Sequence, residues 1–408
     1  MFLKALRKII FVFVVIVLLS TVFAGGFLVG KLNTKPEIIF GVQNPELGQP
    51  SGADFSLFWE IWADLGKKFV NSDKMNPQKM IYGAISGMVK SLDDPYTIFF
   101  PPKEAKRFEE DVKGSFEGVG MEIDKKKDQI TVVSPLEGTP AQGAGLRAGD
   151  KILAINGTST ADMTTDEAVG MIRGPKGTEV TLTIARNAWP KPKEIKLVRD
   201  VIQVPSLKLE FKDYEDQKIV YLKLYQFSER ASSDFSKAAV EILNSPAKKI
   251  ILDLRNNPGG YLEVAQDIAG WFLERGETVA IEDFGGKKEQ SIYKAQGSAL
   301  LSGYPMVALI NQGSASASEI LAGSLRDNRG IVLIGEKSFG KGSVQELEKF
   351  REGSSLKVTV AKWLTPKGKG IGEVGLEPDT KVEITDKDIE AEKDPQLDKA
   401  LEIIREIR

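Results

Sequence analysis

The sequence predicts a multidomain α/β protein: an α/β core, a smaller β-rich domain before it, helical flanks, and an N-terminal transmembrane segment. Three observations lead there. Residues 9–30 form an uncharged apolar run. Residues 114–200 read as short strands punctuated by Gly turns, and residues 201–386 alternate between strand-like and helix-like segments. Such alternation implies a core sheet covered by helices.

At the N-terminus, Lys4, Arg7 and Lys8 precede the apolar run and Lys31 ends it. A run of about 20 apolar residues spans a bilayer core, whereas a cleavable signal usually has an apolar region of about 7–15. Residues 1–31 are therefore expected to form a cytoplasmic stub and an anchor, with a signal cleaved near Val22-Phe23-Ala24 as the alternative. The basic residues lie before the span, so the rest of the chain is expected outside the cytoplasm. Residues 32–53, rich in Pro, Gly, Asn and Gln, read as a linker.

Residues 54–113 read as a helical region, with amphipathic spacing over 54–70 and 76–91. Asp93-Asp94-Pro95-Tyr96 breaks the second helix, and the charged stretch 103–112 predicts a third. In the core, strands are expected at 219–224, 249–254, 306–310 and 331–334, and helices at 234–243, 262–273 and 317–327. Residues 387–408 end in a helix with Leu397, Ala400, Leu401, Ile404 and Ile407 on one face. Apolar faces at both terminal helical regions suggest a homodimer.

The 408 residues carry 55 basic and 57 acidic side chains, a net charge of −2. No basic field for nucleic acid is present. There is no Cys, which excludes disulfides, thiolate nucleophiles and Cys-metal sites. There is no His either, which removes Ser-His-Asp triads, Cys-His proteases and His-based zinc sites. A hydrolase of this composition must take its base from Lys, Asp, Glu or Tyr.

Four motifs carry the functional reading. Gly138-Thr139-Pro140-Ala141, Ala144-Gly145-Leu146, Gly149-Asp150-Lys151-Ile152-Leu153 and Ile155-Asn156-Gly157 combine a short helix, a sharp turn and a hairpin signal, and resemble a PDZ domain. Upstream, Gly118-Val119-Gly120-Met121 sits where PDZ domains place their carboxylate-binding loop. Glycines there let backbone N–H groups converge on an anion, and the strand from Met121 would offer its edge to an extended peptide. The alternative is a plain hairpin turn. Arg173 stands as a candidate charge partner for a peptide tail, or as a solvated turn cation.

Asn311-Gln312-Gly313-Ser314-Ala315-Ser316-Ala317-Ser318-Glu319 follows an apolar strand, which places a serine at a helix N-terminus. Unpaired N–H groups there favour developing negative charge. A Ser-rich cap would explain one serine, not three alternating with alanines. Phe339-Gly340-Lys341-Gly342-Ser343-Val344-Gln345 reads as a close-packed turn around a lysine. A free lysine titrates near about 10.4, and burial would lower it toward a usable base. The GxxxxG frame of a P-loop is missing here. Asp253-Leu254-Arg255-Asn256-Asn257-Pro258-Gly259-Gly260 ends a strand in a turn able to aim a glycine N–H into a cleft.

Together these segments resemble the C-terminal processing peptidases, tail-specific serine proteases, from about Asp54 onward and in the family's order. The resemblance implies Ser316 as nucleophile, Lys341 as general base and Gln345 as the residue orienting it. It implies the amides of Gly260 and Ala317 as oxyanion donors. Gly118, Val119, Gly120 and Met121 would bind substrate tails, with no metal or organic cofactor. The implied partners are protein substrates with free C-terminal tails, and no adaptor can be named. The rival readings are a non-catalytic PDZ scaffold on a degenerate protease fold and a small-molecule amidase, which would have no use for a PDZ domain.

Overall fold

The computed structural model describes Thr21 and residues 52–407 except 127, 188 and 373. The expected anchor at 9–30 lies, apart from Thr21, outside the described residues, as does the linker up to Ser51. Among the described residues no helix is long and apolar enough to cross a membrane. The chain divides into two compact units, Met1–Asn76 and Pro77–Arg408. In the first, the helix Ser56–Lys68 buries none of its residues and packs Phe58, Trp59 and Trp62 edge-on or tilted against one another.

The second unit holds three principal sheets. The central one has six strands in the order Leu207–Tyr214, Gln217–Leu224, Lys249–Asp253, Met306–Ile310, Val332–Gly335 and Thr380–Lys381. The first pair is antiparallel and the rest are parallel. Side chains alternate across a sheet with period two, so each strand supplies both faces. Val220, Leu222, Leu252, Ala308, Ile310 and Leu333 join the larger core, which the helices Ala231–Asn244, Leu262–Ala269 and Ala317–Arg329 cover. Ile219, Tyr221, Ile251, Val307, Leu309 and Ile334 face the other way and are covered by Ala400, Leu401 and Ile404 of the C-terminal helix Pro395–Glu406. The apolar face of that helix is thus consumed within the chain, which corrects its reading as a dimer surface.

Sequence periodicity did not disclose the second sheet. Ser355–Leu364 lies at its centre, flanked by Ile98–Phe100, Ser343–Lys349 and Thr278–Asp283, the last pairing onward to Ser291–Lys294. Most of these strands are half-buried or mixed in pattern, so no clean alternation marks them. The expected helix 262–273 stops at Ala269, where the chain tightens into turns in which the Trp271 N–H donates to the Ile268 carbonyl at 3.1 Å and the Phe272 N–H to the Ala269 carbonyl at 2.9 Å.

The PDZ-like sheet runs Met121–Lys126, Gln129–Pro135, Lys151–Ile155, Glu179–Ala185 and Lys193–Val198, with Met121–Lys126 at its edge. Its helix Thr165–Ile172 begins with a capping box between Thr164 and Glu167. The ribbon Ser115–Gly118 with Asp200–Gln203 ties the entry and exit of this domain together.

Candidate active site

The strand Met306–Ile310 is buried along its whole length and lies between two parallel neighbours. The chain must turn sharply after it to enter the helix Ala317–Arg329. Ser316 makes that turn with φ 55° and ψ −117°, a positive φ on a residue other than glycine. Such a conformation persists only where its surroundings over-determine it. Here the carbonyl of Asn257 accepts the Ala315 N–H at 3.0 Å and the Ser318 hydroxyl at 2.9 Å. The Glu319 carboxylate accepts the Ser316 N–H at 2.9 Å.

These contacts separate the three serines. Ser314 is fully buried and its hydroxyl donates to the Leu254 carbonyl at 2.8 Å while accepting the Asn311 N–H at 3.0 Å. Ser318 is fully buried against Asn257. Ser316 is half-buried and lines an open cleft of about 730 Å³.

The turn after Lys249–Asp253 packs against this serine. Asn257 is fully buried, donates to the Leu224 carbonyl at 2.8 Å and accepts the Gly259 N–H at 2.9 Å. A Cβ on Gly259 would lie 2.8 Å from that of Ser316, and one on Gly260 only 2.2 Å from the Phe227 carbonyl oxygen, so no other residue fits either place. Phe227 donates to the Gly259 carbonyl and accepts the Tyr261 N–H, both at 2.9 Å. Those bonds fix the peptides around Gly260 and leave its own N–H free. Among the described residues neither the Gly260 nor the Ala317 amide has an acceptor, and both residues line the cleft.

Lys341 enters from the opposite loop. Gly342 permits the turn, since a Cβ there would lie 1.9 Å from the Gly372 nitrogen. The Glu319 carboxylate accepts the Gly340 N–H at 2.8 Å, the Lys341 N–H at 3.1 Å and the Ser338 hydroxyl at 2.6 Å. Burial raises the Glu319 carboxyl above its ordinary value, opposed by its hydrogen bonds from Ser338, Gly340, Ser316 and Lys341. The Lys341 amine is held below the usual lysine range by burial, then by the charge of Lys357, with Glu319 opposing.

The cleft therefore gathers Ser316, Ala317, Gly260, Lys341 and Gln345, drawn from three separate segments of the chain. Gln345 does not hold the amine here: its side-chain N–H groups donate to the Ser343 carbonyl at 3.1 Å and hydroxyl at 2.6 Å. Sequence reasoning assigned no role to Asn257, Glu319 or Lys357. Only Glu319, three positions after Ser316, left a local signal, that of a capping-box acid.

Gly118, Val119, Gly120 and Met121 lie apart from the cleft. The Val119 carbonyl accepts the Ala141 N–H at 2.8 Å, and the Gly120 carbonyl accepts from Leu136 N–H and the Thr139 hydroxyl, each at 2.9 Å. The amides of Val119 and Gly120 have no acceptor among the described residues, at the start of the edge strand Met121–Lys126. Arg173 is not a free cation: it pairs with Asp111 at 3.0 Å and its guanidinium lies 4.2 Å over the Phe116 ring.

Residues 218–382 match Peptidase family S41 and residues 109–185 match the PDZ domain. The carboxy-terminal-processing protease of Bartonella bacilliformis is 42% identical over 312 residues, covering 75% of this chain and 70% of that protein. The chain belongs to the carboxy-terminal processing protease family. A second member, CtpA of Bacillus subtilis, is 39% identical over 77% of this chain and 66% of its own length. A CtpA-like serine protease of Staphylococcus aureus, so named as probable, is 40% identical over 78% of this chain and 63% of its own. The chain thus spans just under two thirds of those last two relatives. Among solved structures, the photosystem II D1 C-terminal processing protease aligns with a TM-score of 0.50 and 28% identity, over 80% of this chain and 92% of that one.

Proposed function

We propose that the protein is a serine-type endopeptidase working through a Ser316–Lys341 dyad. One observation carries this reading: of three serines in the loop, two have buried hydroxyls bonded to backbone, and Ser316 alone shares the cleft with Lys341. The neutral Lys341 amine takes the proton of the Ser316 hydroxyl as its oxygen attacks the scissile carbonyl. The Gly260 and Ala317 amides donate to the oxyanion. The tetrahedral adduct then expels the amine, which receives the proton from Lys341. Water, activated by the same amine, hydrolyses the acyl-enzyme. Family membership, with three relatives at 39–42% identity, supports the reaction class.

Substrates are unfolded or flexible proteins selected by their C-terminal tails. The free amides at Val119 and Gly120 and the strand edge from Met121 support this reading, through charge capture and β-augmentation. The apolar run 9–30 would tether the enzyme to the cell membrane with its catalytic part outside the cytoplasm. The deciding experiment is labelling of the intact protein with a sulfonyl fluoride, followed by peptide mapping. Label on Ser316, lost in Ser316→Ala, is expected. A labelled Ser314 or Ser318, or proteolysis by Ser316→Ala, would overturn the assignment, and an inert, unlabelled protein would favour a scaffold.

A further inference from the structure

A second lysine stands in the same cleft. Lys357 lies on Ser355–Leu364, opposite Ile98 on one neighbouring strand and Leu347 on the other. Its Nζ is 5.8 Å from the ring centroid of Phe100 and 5.3 Å from that of Phe108. The Nζ of Lys341 faces a single ring, Tyr96, at 5.7 Å. Both lysines are half-buried, and both line the cleft with Ser316. Among the described residues no hydrogen bond or ion pair engages either amine.

Two half-buried ammonium groups sharing a cleft disfavour one another, so the first proton leaves the less supported amine. Aromatic faces favour a cation. Lys357 has two such faces; burial lowers its amine below the usual lysine range, and the charge of Asp94 opposes that. Asp94 itself is set by the turn after the second helix: it accepts the Thr97 hydroxyl at 2.6 Å, and Thr97 accepts the Thr359 N–H at 3.1 Å. Carboxylates also stand in or beside the cleft. Glu109 is paired with Lys113 and Lys349, Glu282 accepts from Tyr293, and Glu319 is occupied by four donors. Glu263 and Glu346 line the cleft as well.

We propose that Lys357 is a positioning residue acting through Lys341: a neighbouring cation, held against Phe100 and Phe108, that keeps the base neutral and ready to accept the serine proton. The same repulsion helps the second half of the reaction. Once Lys341 carries the Ser316 proton it stands beside a like charge, which favours passing that proton to the leaving amine. The direction agrees with burial first and Lys357 second in lowering the Lys341 amine.

The inference rests on Lys341 being the base, and the experiment separates the two. The full chain is assayed on a carboxymethylated unfolded protein, with kcat/KM followed against pH for wild type, Lys357→Met, Lys357→Gln and Lys357→Arg. Losing the charge is expected to move the acidic limb upward by roughly 1 pH unit, the scale of one charge acting through an effective dielectric of about 20. Activity near neutrality then falls about tenfold while the alkaline plateau stays within about threefold of wild type. Lys357→Arg keeps the charge and the wild-type midpoint. Lys357→Gln replaces Lys357→Met if the latter does not fold. An unmoved midpoint in a folded neutral variant, a change confined to KM, or an equal shift in Lys357→Arg would overturn the role of Lys357. Turnover by Lys341→Arg would instead overturn the base assignment.

Discussion

The carboxylate of Glu319 accepts the backbone N–H of Lys341 at 3.1 Å, across 22 residues of sequence. Through its bonds to Ser316, Ser338 and Gly340 it ties the serine turn to the lysine loop. In Glu319→Gln an amide NH2 must face donors that now have a carboxylate. Loss of about 2–3 kcal/mol is expected, the scale of hydrogen bonds to a charged group. The rate of Ser316 labelling should fall at least about tenfold in the protein that remains folded. Urea unfolding and labelling kinetics measure the two effects, and an unchanged variant would show the clamp to be dispensable.

The three serines should separate cleanly. Ser316→Ala is expected to abolish cleavage and leave the urea midpoint nearly unmoved. Ser314→Ala and Ser318→Ala each remove a buried hydroxyl bonded to backbone, at a cost of about 1 kcal/mol, with activity retained. Peptide cleavage set beside denaturation curves tests all three, and a dead Ser318→Ala that is fully folded would place the nucleophile there.

Activity should rise with pH through the lowered Lys341 value. Only the neutral amine accepts a proton, and its fraction grows as pH passes the depressed midpoint. Lys341→Arg should be inactive at every pH, since a guanidinium stays protonated. A kcat/KM profile that is flat from mildly acidic to alkaline pH would remove lysine from the role of base.

Tail reading by the PDZ domain has a paired test. One unfolded substrate is offered with a free or an amidated C-terminus. Losing the charge while keeping β-pairing should weaken binding by roughly ten- to a hundredfold. Equal cleavage of both forms by the intact protein would leave the free amides of Val119 and Gly120 without that function.

Arg255 should be a stability residue. It is 7% exposed, donates to Asp253 at 2.7 Å and 3.0 Å, and donates twice to Asp394 at 2.8 Å beside the C-terminal helix. Removing one partner of a buried pair costs about 3–5 kcal/mol, so Arg255→Ala should unfold at far lower urea. Burial tends to raise the Asp394 carboxyl, but the hydrogen bonds from Arg255 and the Leu397 N–H, with the charges of Arg255 and Lys223, together leave the value lowered. That contribution to stability is complete above the unfolded carboxylate value and is lost as pH falls through the depressed one. The pH dependence of the urea midpoint, compared with Asp394→Asn, measures it. Identical acid limbs in the two proteins would assign the effect elsewhere.

Sequence alone determined the α/β core, the PDZ domain before it and the segments that meet in the cleft. The buried run at Met306–Ile310, the small residues around Ser316 and the glycines flanking Lys341 are local patterns, and local patterns survive in one dimension. The absence of His and Cys by itself narrowed the base to Lys, Asp, Glu or Tyr. What the sequence did not disclose depends on segments distant in the chain. The second sheet assembles strands from residues 98–100, 278–283, 291–294, 343–349 and 355–364, whose mixed burial erases the alternation that reveals a strand. Which serine stays available was decided by Leu254 and Asn257, some 60 residues upstream, which take the hydroxyls of Ser314 and Ser318. Lys357 was one lysine among many until strand pairing carried it into the cleft beside Lys341, since charges couple through space and not along the chain.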